Sequence, residues 1–119
     1  MFNLLYLFSP GSCGAFCLKH ILKKRVKNTK YMSLYEVKLV LLASGYKCMC
    51  LKSSNIFLIR TPFLSLILNK NSEFHYVVVK EIKKNMIIYY DPLYVFHRKE
   101  KIEDFTKKWS GFALIYSKE

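Results

Sequence analysis

Cys13, His75 and Asp91 are the residues whose types and positions could do chemistry together. Cys13 follows the turn signal Ser9-Pro10-Gly11-Ser12 and opens a stretch of helical apolar spacing, with Ser12 placed as its N-cap. A thiol at the first turn of a helix meets free backbone N–H groups and the positive end of the helix dipole, both of which favour the thiolate. The thiolate is the nucleophile of cysteine chemistry. The backbone N–H of Cys13 is also placed to point at a developing oxyanion. His75 and Asp91 fall on two β-rich segments joined at hairpin length. If the hairpin pairs symmetrically about Lys83, Glu81 faces Asn85 and His75 faces Asp91. Directly opposite residues share one face of a sheet, with Cβ atoms about 4.5–5.5 Å apart. An Asp there fixes the tautomer of the His and stabilises its imidazolium. Each residue also has a plainer role: Cys13 as a small buried hydrophobe, His75 as a hydrogen-bonded structural residue, Asp91-Pro92 as the opening of a turn. The pattern alone leaves both roles open.

Other residues carry weaker signals. Cys13, Cys17 and His20 lie at helical spacing, and Cys48 and Cys50 share a strand face, so together they could ligate zinc. Neither spacing is that of a standard zinc knuckle. Cys17 reads as core beside Ile21, and His20 and His97 as surface residues. Tyr89, Tyr90 and Tyr94 could stack on bases, but no RNA-binding signature accompanies them.

The elements that must position these residues are marked along the chain. Residues 1–8 are apolar, and read as a buried strand or the stub of a longer segment. Ala15, Leu18, Leu22 and Val26 form the apolar stripe of a first helix, with Lys19, Lys23 and Lys27 pointing away. Ser33 and Glu36 form a capping box that opens a second helix, striped by Leu34, Val37 and Leu41 and ended by Gly45. Strands are predicted over Tyr46–Leu51, Pro62–Leu68, Phe74–Glu81 and Asn85–Asp91. Ile102, Phe105 and Trp109 recur at helical spacing, with acidic residues from Glu100 at the start and Lys107 and Lys108 at the end. Phe112–Ser117 reads as a last strand. This order predicts an α+β domain with an antiparallel sheet, as one domain over 1–119.

Composition bounds the function classes. At 119 residues with 52% hydrophobic and 16% aromatic content, the chain can bury a core and is not intrinsically disordered. No apolar run reaches the roughly 18 residues of a membrane span, and no repeat appears. The net charge of +12, from 20 basic and 8 acidic residues, favours an acidic partner. Biased residue usage also explains it, so nucleic acid is not expected as a partner. The short apolar start lacks a basic n-region and a cleavage site, so it is not read as a signal peptide and the thiols are expected to be reduced.

The motifs resemble those of the bacteriocin-processing, double-glycine leader peptidases. Ser12-Cys13-Gly14-Ala15-Phe16-Cys17-Leu18-Lys19-His20-Ile21-Leu22 resembles the family's nucleophile helix. Pro62–Leu68 resembles the strand before its histidine, and His75-Tyr76-Val77-Val78-Val79 the histidine strand itself. Ile88-Tyr89-Tyr90-Asp91-Pro92 resembles the Asp-Pro strand end. Phe105 and Trp109-Ser110-Gly111-Phe112 resemble the closing element. The resemblance runs in order over nearly the whole chain.

This resemblance implies a papain-like cysteine peptidase fold, N-terminal helices packed on an antiparallel sheet. It implies a thiol peptidase that cuts a leader peptide after a Gly-Gly pair, coupled to export of a bacteriocin or signalling peptide. Cys13 would be the nucleophile, His75 the general base and acid, and Asp91 the orienting residue, with no cofactor and no metal. The implied partners are the leader peptide and an ABC-type peptide exporter, and the implied location is cytoplasmic, or at the inner face of the membrane through that exporter. A basic surface and an apolar groove would suit an acidic amphipathic leader helix. The family's oxyanion Gln, about six residues before the nucleophile, would fall near Leu7, yet the chain contains no Gln. Ser9, Ser12 and Asn3 are the candidate substitutes, and Ser12 stands where the family usually has Asp. The alternative function is a catalytically weak or inactive leader-binding domain associated with an exporter.

Overall fold

The computed structural model of the chain describes residues 13–24, 26, 32–94 and 96–118. The segment 1–8, the turn before Cys13 and the Ser12 cap lie outside these residues. In chain order the described elements are helix α1 (Cys13–Leu22), helix α2 (Leu34–Ala43), strand β1 (Tyr46–Lys52), a 3-10 turn (Ile56–Leu58), β2 (Phe63–Leu68), β3 (Phe74–Lys83), β4 (Met86–Tyr90), β5 (Arg98–Lys101), a short helix α3 (Ile102–Thr106) and β6 (Trp109–Lys118). The sheet order is β1-β6-β2-β3-β4-β5, and every neighbouring pair is antiparallel. Helices on an antiparallel sheet, the expected α+β class, are what form.

Side-chain alternation sorts the sheet into two cores. Leu64, Tyr76, Val78 and Leu114 pack under α1 and α2 with Leu18, Val37 and Leu41. Phe63, Ile67, Val77, Val79 and Tyr89 pack on the other face against Ile56, Ile102 and Phe105. The central strand β3 is therefore buried on both sides from His75 to Val79. Its apolar run reads as continuous rather than alternating for that reason.

The capping box forms as expected. Ser33 Oγ accepts from the Glu36 N–H at 3.1 Å, and the Ser33 N–H donates to Glu36 Oε1 at 3.0 Å. Gly45 follows α2 at φ +88°, a left-handed conformation that suits glycine. α1 stops at Leu22, one turn before the end of its predicted stripe, and Lys23 turns the chain at φ +60°. Trp109 and Glu100 belong to strands, not to the helix between them. β5 has no counterpart in the sequence reading. Its Arg-Lys-Glu-Lys sequence has no apolar periodicity, and it forms by backbone pairing at the sheet edge, where charges are tolerated.

The β3–β4 hairpin departs from symmetry about Lys83. Lys83 pairs with Met86 across a two-residue turn, Lys84-Asn85, with Lys84 at φ +57°. That register alone would place Asp91 opposite Val78, on the helix-covered face. A bulge between Val79 and Glu81 absorbs Lys80 and resets the pairing, so that Val78 meets Tyr90. The chain leaving β4 at Tyr90 thus delivers Asp91 to the face of Val77 and His75. The expected register is wrong by two residues. Because the side-chain period is two, the face is nevertheless right.

Candidate active site

α1 begins at Cys13, and its next residue explains how closely it lies on the sheet. A Cβ on Gly14 would sit 3.2 Å from Met32 Cβ and 3.4 Å from the Tyr76 ring. Tyr76 also donates its hydroxyl to the Met32 carbonyl at 2.7 Å, tying β3 to the segment entering α2. Helix, strand and segment meet around a residue with no side chain. Cys13 is thereby brought to the start of β3, where the Tyr76 backbone N–H donates to its sulfur.

His75 precedes Tyr76. Its Nε2 lies 2.9 Å from Asp91 Oδ2, and both residues are 3% exposed. The turn after β4 holds the carboxylate. Asp91 Oδ1 accepts from the Leu93 N–H at 2.9 Å, and the Asp91 carbonyl accepts from the Tyr94 N–H at 3.0 Å. With Nε2 committed to Asp91, His75 Nδ1 is buried and has no hydrogen-bond partner among the described residues. A buried polar atom left unmatched is costly in a structural residue and useful in one that must exchange a proton.

The three predicted site residues thus converge at one end of the sheet. The cross-strand opposition expected of His75 and Asp91 does not occur; they meet diagonally instead. The electrostatics of Cys13 also differ from expectation. Burial, and then the Asp91 charge, push its thiol up to about 12, while the Tyr76 N–H opposes them. The sequence shows the helix start but not the depth of the thiol.

Sequence reading missed one neighbour. His20 is half-buried rather than on the surface, and its ring lies flat on Tyr90, with centroids 4.0 Å apart and planes 2° apart. Its position seven residues after Cys13, on the same helix face, was the available signal. The thiols suggested as zinc ligands do not gather. Cys48 and Cys50 lie on edge strand β1, and no group of three or more metal-ligating residues occurs among the described residues.

Comparison with known proteins bears on this geometry. The family model described as the Peptidase C39 family matches residues 22–119. The chain belongs to the Peptidase C39 family. The matched stretch contains His75 and Asp91 and begins after Cys13. No curated protein sequence matches the chain. Among solved structures, the C39 chain is similar to the peptidase domain of Streptococcus ComA, a bi-functional ABC transporter involved in quorum sensing. There the TM-score is 0.67 and identity 18%, over 92% of this chain and 93% of that one. The peptidase domain of Streptococcus mutans ComA gives a TM-score of 0.70 at 21% identity, over 89% and 91%. A double glycine motif protease from an AMS/PCAT transporter, in complex with the leader peptide, gives 0.69 at 20%, over 100% and 88%. At these identities the likeness establishes the fold. No helix among the described residues of the C39 chain is long and apolar enough to cross a membrane.

Proposed function

We propose that this chain is an active thiol peptidase that cleaves a leader peptide after a Gly-Gly pair and works with an ABC-type peptide exporter. One observation carries the proposal: a buried His75–Asp91 pair leaves the second imidazole nitrogen of His75 unmatched on the strand whose next residue, Tyr76, donates its backbone N–H to Cys13 at the start of α1. Family membership and the named neighbours supply the reaction class.

In this mechanism the Cys13 thiol passes its proton to His75 Nδ1, and the thiolate attacks the carbonyl of the second glycine. The Asp91 carboxylate stabilises the imidazolium through Nε2. The backbone N–H of Cys13 donates to the tetrahedral oxyanion. His75 then protonates the leaving amine, and the leader remains as a thioester on Cys13. Water, deprotonated by His75, hydrolyses that thioester and restores the thiol. Loss of one oxyanion donor costs about 10²–10³ in turnover, so the missing Gln predicts a slow enzyme.

Several features suit such a substrate. Phe74 and Phe112 are exposed at the sheet end that carries His75, and Lys52 lies over the Phe112 ring at 5.2 Å. An apolar rim with positive charge fits an acidic amphipathic leader. We place the working chain, as one domain, on the cytoplasmic side of an exporter.

The test is to incubate the protein with a synthetic peptide carrying an amphipathic leader, a Gly-Gly pair and a short cargo, and read the products by mass spectrometry. A single cut after the second glycine, absent in Cys13→Ala, is expected. Equal cleavage by Cys13→Ala would overturn the mechanism. Tight leader binding without any cut would assign the chain the binding role instead.

A further inference from the structure

We infer that His20 is a positioning residue: its ring, laid flat on Tyr90, fixes the nucleophile helix against the strand that ends in Asp91. The inference rests on the peptidase reading above.

Cys13 and His20 are seven residues apart on α1, about 10.5 Å along its axis, and the 3.6-residue period puts both on one face. A contact made by His20 therefore constrains both the rotation of the helix about its axis and its slide along it. The partner in that contact is Tyr90, bonded directly to Asp91 and paired with Val78 in β3. One stacked ring pair thus couples the element holding the nucleophile to the element holding the carboxylate. His97 closes the cluster edge-on, with centroids 5.6 Å from His20 and 6.2 Å from Tyr90.

The chemistry of the ring supports an aromatic plate rather than an acid or base. His20 Nε2 is buried with no hydrogen-bond partner among the described residues. Burial and the charges around it, Lys80 on β3, His97 across the cluster and Lys23 on its own segment, hold His20 at about 4. It is neutral throughout the range where a thiol peptidase works. An uncharged ring stacked face to face needs no nitrogen to do its work.

A displacement of about 1 Å at reacting atoms costs on the order of 10² in rate. The proposal therefore predicts that His20→Ala lowers kcat by about 10- to 100-fold with little change in KM. His20→Phe, which keeps the plate and deletes an unmatched nitrogen, restores kcat. Loosening the Asp91 strand also weakens the imidazolium's hydrogen bond, so the alkaline limb of the kcat/KM profile moves to lower pH in His20→Ala and returns in His20→Phe. A purely structural defect lowers the folded fraction and moves neither limb.

The experiment compares wild type, His20→Ala, His20→Phe and Tyr90→Leu, with rates normalised to folded protein and to Cys13 titrated by stoichiometric alkylation. Unchanged kcat and pH profile in His20→Ala would overturn the inference. So would failure of folded His20→Phe to rescue, because the nitrogen would then be needed. If wild type cuts no Gly-Gly leader, the peptidase reading fails by itself. The positioning role is then read from the pH profile of Cys13 alkylation, which must change in His20→Ala and Tyr90→Leu and be restored in His20→Phe. No change there refutes it.

Discussion

Cys13 stands under opposed influences. Its burial and the nearby Asp91 charge raise the thiol to about 12, whereas the helix start and the Tyr76 N–H favour the thiolate. A solitary thiolate is therefore unfavourable, and a thiolate formed by proton transfer to His75 adds no net charge to the buried site. The residue types and the helix start were legible in the sequence. The depth of the thiol was not, because it depends on Gly14 and on how closely Tyr76 approaches. Gly14→Val tests that approach: its Cβ meets Met32 and Tyr76 at 3.2 and 3.4 Å, and the added methyls make the overlap worse. Overpacking of this kind costs about 1–3 kcal/mol. The expected result is that loss in urea denaturation, together with slower leader cleavage, since α1 must lift away from β3.

At the scale of elements, the β3–β4 hairpin shows what a sequence can and cannot specify. Two β-rich segments at hairpin distance were plain, and so was the shared face of His75 and Asp91. The register was not, because neither the Lys84-Asn85 turn nor the bulge at Lys80 has a distinctive signature. β5 was missed altogether, since four charged residues make a strand only when a neighbour supplies the pairing. Yet β5 steadies the site. Arg98 stacks on the Tyr94 ring at 4.1 Å, and the Tyr94 N–H closes the Asp91 turn. Glu100 binds Lys108 at 2.9 Å and accepts from the Tyr89 hydroxyl at 3.1 Å. The bulge gives a sharp prediction. Deleting Lys80 removes the one extra residue of β3, so a regular ladder through Glu81–Ile88 and Val79–Tyr89 keeps Val78 opposite Tyr90 and Asp91 on the face of His75. Leader cleavage should therefore persist in a folded Lys80 deletion, whereas Asp91→Ala should lower it by about 10²–10⁴, as expected when a triad carboxylate is lost. A loss in the deletion as deep as that in Asp91→Ala would show that the hairpin does not carry the carboxylate in this way.

Across the whole molecule, buried titratable groups set a pH window. His20 is held at about 4 in the fold, against about 6.5 in an unfolded chain. Its contribution is present above about pH 6.5 and is lost as pH falls towards 4. Tyr90 is raised to about 12, and burial raises Cys17 as well. An unfolded Cys17 thiol ionises from about pH 8.5 while the folded one keeps its proton, so stability falls again from there upwards. Urea midpoints measured from pH 4 to 11 should therefore peak between about 6.5 and 8.5, with a shallower acid limb in His20→Phe. A monotonic profile would contradict this.

Alkylation of Cys13 by iodoacetamide across pH 5 to 9, mapped by mass spectrometry in wild type and His75→Ala, tests the central claim most directly. Wild type should react rapidly at Cys13 below pH 7, because His75 takes the proton. In His75→Ala that reaction should vanish across the whole range, since the thiol then ionises only near 12. Slow labelling in wild type, or a profile unchanged by His75→Ala, would mean that the thiol and the imidazole do not form a working pair.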